Sequence, residues 1–207
     1  MTLFLTADHD EDPEYVKLKV QYMAATWADL ILLGLNNGEK PEILVDRSGS
    51  MDAKLLKGFT RMDVSLTLIS LVASILSKRN KGFDLTQIPV KSWGHNVYSH
   101  GTLKDFIPAA FGSGPAIPCT DGTDHSYWFD ESDFPLVITD DYYDYAIPTF
   151  VDNMKSFDWC NGANIIVIGN QSAIPHFRKV DQEVMDKAAR VGDSKRQWYD
   201  KEGGIIG

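Results

Sequence analysis

Short, apolar, β-prone runs alternate with longer stretches of helical period along this chain, and no other feature restricts its fold as much. Glu42–Val45, Ile88–Trp93, Phe134–Thr139 and Ala163–Ile168 read as strands, and Val97–Ser99 as a short one returning from the turn Gly94-His95-Asn96. Residues 2–6 read as a further short strand. Between them, Asp12-Pro13-Glu14 has the form of a helix start, and Val16, Val20, Met23, Trp27 and Leu30 follow on one helical face, with Gly34 as the expected stop. Thr60-x-x-Asp63 is a capping-box pattern. Behind it, Met62, Leu66, Ile69, Ala73 and Leu76 form one stripe and Val64, Leu68, Leu71 and Ile75 a second, so this helix is apolar on two sides, as when packed on a sheet. Weaker helical patterns occupy 103–111, 146–157 and Val180–Val191, and the polar stretch from Gly192 reads as a tail. Strands alternating with helices predict an α/β fold: Rossmann-like, with a mainly parallel central sheet, one short antiparallel edge strand and helices on both faces.

Two of the strands run straight into an aspartate, Val45 into Asp46 and Thr139 into Asp140. In open α/β sheets, ligands bind beyond the carboxyl ends of the strands, where strand order reverses. Asp46-Arg47-Ser48-Gly49-Ser50 places a carboxylate and two hydroxyls on a tight turn at such an end. These are hard oxygen donors on alternate residues, and converging on one point they suit a small, hard divalent cation. The loop Cys119-Thr120-Asp121-Gly122-Thr123-Asp124 lies between the two aspartates in sequence and reaches the same edge if the strands are parallel. The competing reading makes Asp46 and Asp140 ordinary caps of the helices that follow. It leaves the two serines unexplained. D-x-S-x-S by itself arises by chance at roughly one position in 3000, so its weight comes from its place between an apolar strand and a buried helix.

Val45-Asp46-Arg47-Ser48-Gly49-Ser50-Met51, the Gly122-Thr123-Asp124 loop and the Ile138-Thr139-Asp140 strand end occur in the order found in von Willebrand factor A (vWA) domains that carry a metal-ion-dependent adhesion site (MIDAS). The chain resembles that family over residues 42–170, and the intracellular branch, which includes partners of MoxR-type AAA+ ATPases, more than the integrin branch. The resemblance implies a Mg²⁺ (or Mn²⁺) site made by Asp46, Ser48, Ser50, Thr123 and Asp140, with Ser48 and Ser50 binding the ion directly. It also implies a vWA-like domain at 41–192, preceded by an N-terminal extension at 1–40 with one helix packing on the domain and followed by a tail at 193–207. Two departures stand out. Asp121 replaces the usual glycine before Gly-Thr, and Thr120 competes with Thr123 as the loop ligand. The family has six strands, whereas five are clear here after residue 40, so either residues 2–6 supply an edge or the sheet is trimmed.

Function follows from the open side of such an ion. An aspartate or glutamate of a protein partner completes its shell, and the expected activity is recognition rather than turnover. Tyr142, Tyr143, Asp124 and His125 flank the proposed ligands and are the expected partner-binding residues. The partner is a protein presenting Asp or Glu, with a MoxR-type ATPase or a larger assembly as the expected kind. A metal-dependent hydrolase of phosphatase or nuclease type is the alternative. It would want more carboxylates or histidines around the ions, and an aspartyl nucleophile would want a second acid where Ser48 stands. A structural subunit with a vestigial site is the third reading. There is no Walker A loop and no GxGxxG. The net charge of −9 repels nucleic acid and anionic lipid. No apolar run reaches the length of a membrane span. Cys119 and Cys160 form no CxxC, neither has a base nearby in sequence, and His95 and His100 are scattered. The start of the chain turns acidic at once, with the run Asp8–Asp12 reading as a solvated approach to the first helix. The expected location is the cytoplasm, bacterial or phage-encoded inside the host.

Overall fold

The computed structural model describes residues 2–7, 11–107, 116–120, 122, 134–140 and 164–169. Six strands form one sheet: β1 (Thr2–Thr6), β2 (Pro41–Asp46), β5 (Pro89–Trp93), β6 (Val97–Thr102), β7 (Phe134–Thr139) and β8 (Asn164–Gly169). A separate two-stranded hairpin is made by β3 (Lys54–Leu56) and β4 (Phe59–Thr60). The order across the large sheet is β1-β8-β7-β2-β5-β6. All neighbours are parallel except β5 and β6, which form an antiparallel hairpin at one edge. The protein is therefore α/β with a mostly parallel sheet. The sixth strand comes from the start of the chain: Thr2–Thr6 pair in parallel with Ile165–Gly169 and close the other edge.

Every residue of β2, β7 and β8 is buried, so both faces of the sheet centre are covered. That explains why these three strands read as continuous apolar runs rather than alternating ones. Two α-helices are described, α1 (Pro13–Asn36) and α2 (Arg61–Arg79), and they pack on each other. Each joins parallel strands in the same direction across the sheet, β1 to β2 and β2 to β5, so right-handed crossovers put both on one face. Helices on both faces were expected; among the described residues they occupy one. The segments predicted as helical at 146–157 and 180–191, and the tail, lie outside the described residues.

Helix α1 starts where the sequence indicated. Asp12 accepts the Glu14 amide at 3.0 Å and Pro13 occupies the first turn. Its buried face is Val16, Val20, Met23, Ala24, Trp27, Ala28 and Ile31, with Leu30 only partly covered. The helix does not stop at Gly34. It continues to Asn36, and Gly38 at φ 80° turns the chain. Gly34 serves close packing instead: a Cβ there would lie 3.2 Å from Pro41 and 3.4 Å from Phe134, where β2 and β7 begin. Helix α2 has the full capping box, Thr60 Oγ1 accepting the Asp63 amide and Asp63 accepting that of Thr60. Of the helix expected at 103–111, the described part is a single 3-10 turn, Leu103–Phe106, whose Leu103 and Phe106 are fully buried. Among the described residues no helix is long and apolar enough to cross a membrane.

Candidate functional site

From β2 the chain winds outward to β5 and β6, then returns to the other side of β2 to lay down β7 and β8. The reversal point thus lies between β2 and β7, the place beyond whose carboxyl ends open α/β sheets form their ligand crevice. Asp46 and Asp140 stand there. Because Val45 is in register with Ile138, Thr139 flanks Asp46 directly. Its Oγ1 donates to Asp46 Oδ2 at 2.7 Å, and the Ser48 amide donates to Asp46 Oδ1 at 2.7 Å. Asp46 is fully buried. Both its oxygens are met by neutral donors, and it has no ion-pair partner among the described residues. Its pKa is pushed up to about 6, by burial first and by the Asp140 charge second, while hydrogen bonds from Ser48 and Thr139 pull the other way.

The residues after Asp46 are pinned rather than loose. The Arg47 amide adds one more ladder bond, to Trp93 O at 3.0 Å. Ser48 then opens a one-turn 3-10 helix, Gly49–Asp52, closed by Met51 N to Ser48 O at 3.0 Å. Met51 is fully buried, and burying it contributes about 1.5–3 kcal/mol toward holding the turn. The result is a line of oxygens. Ser48 Oγ and Ser50 Oγ are 2.9 Å apart, and Ser50 Oγ donates to Asp140 Oδ1 at 3.0 Å. Four of the five expected ligands, Asp46, Ser48, Ser50 and Asp140, therefore converge. Thr123 lies outside the described residues, as do Asp124, His125, Tyr142 and Tyr143, the expected partner-binding residues.

Three further side chains belong to the site although no spacing in the sequence marked them. Thr139 is the first, described above. The second is Arg61, the first residue of α2, whose guanidinium pairs with Asp140 Oδ2 and also donates to Ser50 O at 3.3 Å. The third is Arg47, nearly buried inside the motif, where it sits at a position the motif leaves open. Its guanidinium lies 3.9 Å from the centre of the Tyr98 ring on β6 and donates to Thr120 Oγ1 at 3.1 Å. This ties the loop at 116–120 to the β5–β6 hairpin. Gly122 lies close to the same hairpin: a Cβ there would fall 2.6 Å from His95 Nε2, so a larger residue would have to displace the His95 ring. Of the two threonines that compete as loop ligand, Thr120 thus has its hydroxyl engaged by Arg47.

Cys119 lies half-buried in the same loop. Burial, and then the charges of Asp52, Asp46, Asp140 and Asp63, push its thiol up to about 11. It stays protonated at neutral pH and is a poor nucleophile. Among the described residues no three His, Cys, Asp or Glu side chains cluster as a metal-binding group. The oxygens brought together at the site, among the described residues, are two serine hydroxyls and two carboxylates. In the acidic run before α1, Asp12 is a helix cap and Glu11 pairs with Lys19 at 2.7 Å; Asp8, His9 and Asp10 lie outside the described residues.

Compared with protein-family models, curated proteins and solved structures, the chain matches none.

Proposed function

We propose that the protein is a divalent-metal-dependent protein-binding module of the vWA type, in which Ser48, Ser50 and Asp140 contact Mg²⁺ or Mn²⁺ and Asp46 supports it from behind. The observation that carries this reading is the convergence of two serine hydroxyls and two aspartates, whose hydrogen-bonded spacing also suits neighbouring ligands of one ion. Neighbouring ligands in an octahedral shell at about 2.0–2.1 Å from the ion are about 2.9 Å apart. Ser48 Oγ to Ser50 Oγ at 2.9 Å, and Ser50 Oγ to Asp140 Oδ1 at 3.0 Å, have that separation. The donor chemistry fits as well: hard oxygens, no thiolate or imidazole among the described residues, and a buried carboxylate with neutral partners. When bound, the ion supplies a positive centre that a carboxylate can approach.

The chain's own residues do the rest. Asp46 is too deeply buried to meet a partner, so its charge acts through Ser48 and any ordered water. Ser50 is exposed, and Asp140 lies buried directly behind it. A protein partner presenting Asp or Glu is the fitting ligand, and a MoxR-type AAA+ ATPase is the partner class to which the resemblance points. Thr123 is the proposed loop ligand, and Asp124, His125, Tyr142 and Tyr143 the proposed contact residues.

The test is thermal melting of the native protein and Asp46→Ala with Mg²⁺, Mn²⁺ or chelator. At a hundred times Kd a site-bound ion stabilises by about 2.7 kcal/mol, which raises Tm by about 5–10 °C in a domain of this size. That shift is expected for the native chain and not for Asp46→Ala. A native protein indifferent to both metals removes the reading. Phosphate release from a generic ester, lost in Asp46→Ala, would replace it with a hydrolase.

A further inference from the structure

The metal-site reading leaves unused the charged group that touches a proposed ligand, Arg61. Arg61 is delivered there from a rigid base. Thr60 and Asp63 lock the first turn of α2, and the Arg61 amide itself bonds to Ala53 O at 3.0 Å. From that position its guanidinium pairs with Asp140 Oδ2, while Ser50 Oγ holds Asp140 Oδ1. Each oxygen of the carboxylate thus has a partner, one a hydroxyl and the other a permanent cation. Arginine cannot lower this charge by losing a proton. The Asp140 side chain is almost wholly buried and that of Arg61 is 21% exposed, so the guanidinium has a solvent side to move toward and the carboxylate has none.

Resting on the metal-site reading above, we propose that Arg61 is a built-in counter-ion that competes with the divalent cation for Asp140 and so sets the affinity of the site. Without the ion, Arg61 neutralises the second of two close carboxylates. With the ion bound at the serine side, two positive centres share one carboxylate a few ångströms apart and repel each other. Binding is weakened, and the metal becomes exchangeable.

The experiment titrates Mn²⁺ into the full chain by calorimetry, with free Mn²⁺ followed by electron paramagnetic resonance, for native protein, Arg61→Gln and Arg61→Lys. Arg61→Gln is expected to bind Mn²⁺ about tenfold more tightly, since a neighbouring positive charge has gone. Arg61→Lys should stay near the native affinity. In chelator, Arg61→Gln should melt below the native protein, and Mn²⁺ should close the gap. Arg61→Met, which keeps an aliphatic stem over the turn, repeats the comparison should the glutamine variant fold poorly. Native or weaker Mn²⁺ affinity in both neutral variants would overturn the proposal and make Arg61 a positioner of Asp140. Absence of Mn²⁺ binding in the native protein and both neutral variants would instead overturn the metal-site reading, and the proposal with it.

Discussion

Strand β2 carries a carboxylate at each end, Glu42 and Asp46, four residues apart and therefore on one face of the sheet. Both are buried. Their environments differ in kind. Glu42, at the amino end, is met by the Lys91 ammonium from β5 at 2.9 Å. Asp46, at the carboxyl end, is met among the described residues by neutral donors of Thr139 and Ser48. A protein that needs a buried carboxylate for architecture alone pairs its charge, as it does at Glu42. At Asp46 the charge is oriented by neutral donors and has no ion-pair partner among the described residues. The difference sets an ion-paired carboxylate against one held by neutral donors, within one six-residue strand, and the second is where the proposed cation would sit.

Replacing Asp46 by Asn breaks the comparison most directly. The side chain keeps its shape and most of its hydrogen bonding but loses its charge. In chelator, Asp46→Asn is expected to be more stable than the native protein by about 1–3 kcal/mol in denaturant titration, because a desolvated charge has been removed. The same variant should lose the Mg²⁺-dependent rise in Tm. A less stable Asp46→Asn would mean that Asp46 is paired after all.

Lys91→Met is the opposite experiment. It strips the cation from Glu42 and should cost about 1–2 kcal/mol, discounted because both side chains keep some solvent contact. The Mg²⁺ response should survive intact. Loss of that response would tie the two ends of β2 together and blur the distinction between them.

The smallest effect concerns the β5–β6 edge behind Arg47. His100 shares a hydrogen bond with the buried Ser92 hydroxyl at 2.7 Å. Burial first, and the Arg47 charge second, hold its pKa below the ordinary value of 6.5. The unfolded chain then takes up this proton before the folded one does. The stabilisation is whole above 6.5 and is lost as pH falls below it. His100→Gln should flatten this part of the profile, read by urea unfolding at several pH values, and leave the metal response unchanged.

The elements were legible wherever local chemistry and burial agreed. The Asp12 cap, the Thr60–Asp63 box and the apolar runs of β2, β7 and β8 lie where the residues indicated. The β3–β4 hairpin between the serine turn and α2 was not legible, since Lys54–Thr60 has neither clear alternation nor length. Gly34 was misread as a stop, because its reason is the approach of Pro41 and Phe134, which are distant in sequence or lie beyond the turn. At the site, Asp46, Ser48 and Ser50 could be grouped by spacing, and Asp140 by its strand end. Arg61 and Thr139 could not. A first helical residue and a last strand residue carry no spacing signal, and their role exists only through partners up to 93 residues away.

Sequence alone determined the α/β alternation, the helix starts and the oxygen-rich turn after β2, because caps, periodicity and turn chemistry act over a few neighbouring residues. Tertiary structure decided the rest. It placed β1 at the far edge beside β8, put the reversal of strand order between β2 and β7, and so brought Asp140 to Ser50 and Arg61 to Asp140. The physical reason is that strand order and register arise from which apolar faces bury each other across the whole chain, and a charge acquires its partner only after that choice is made.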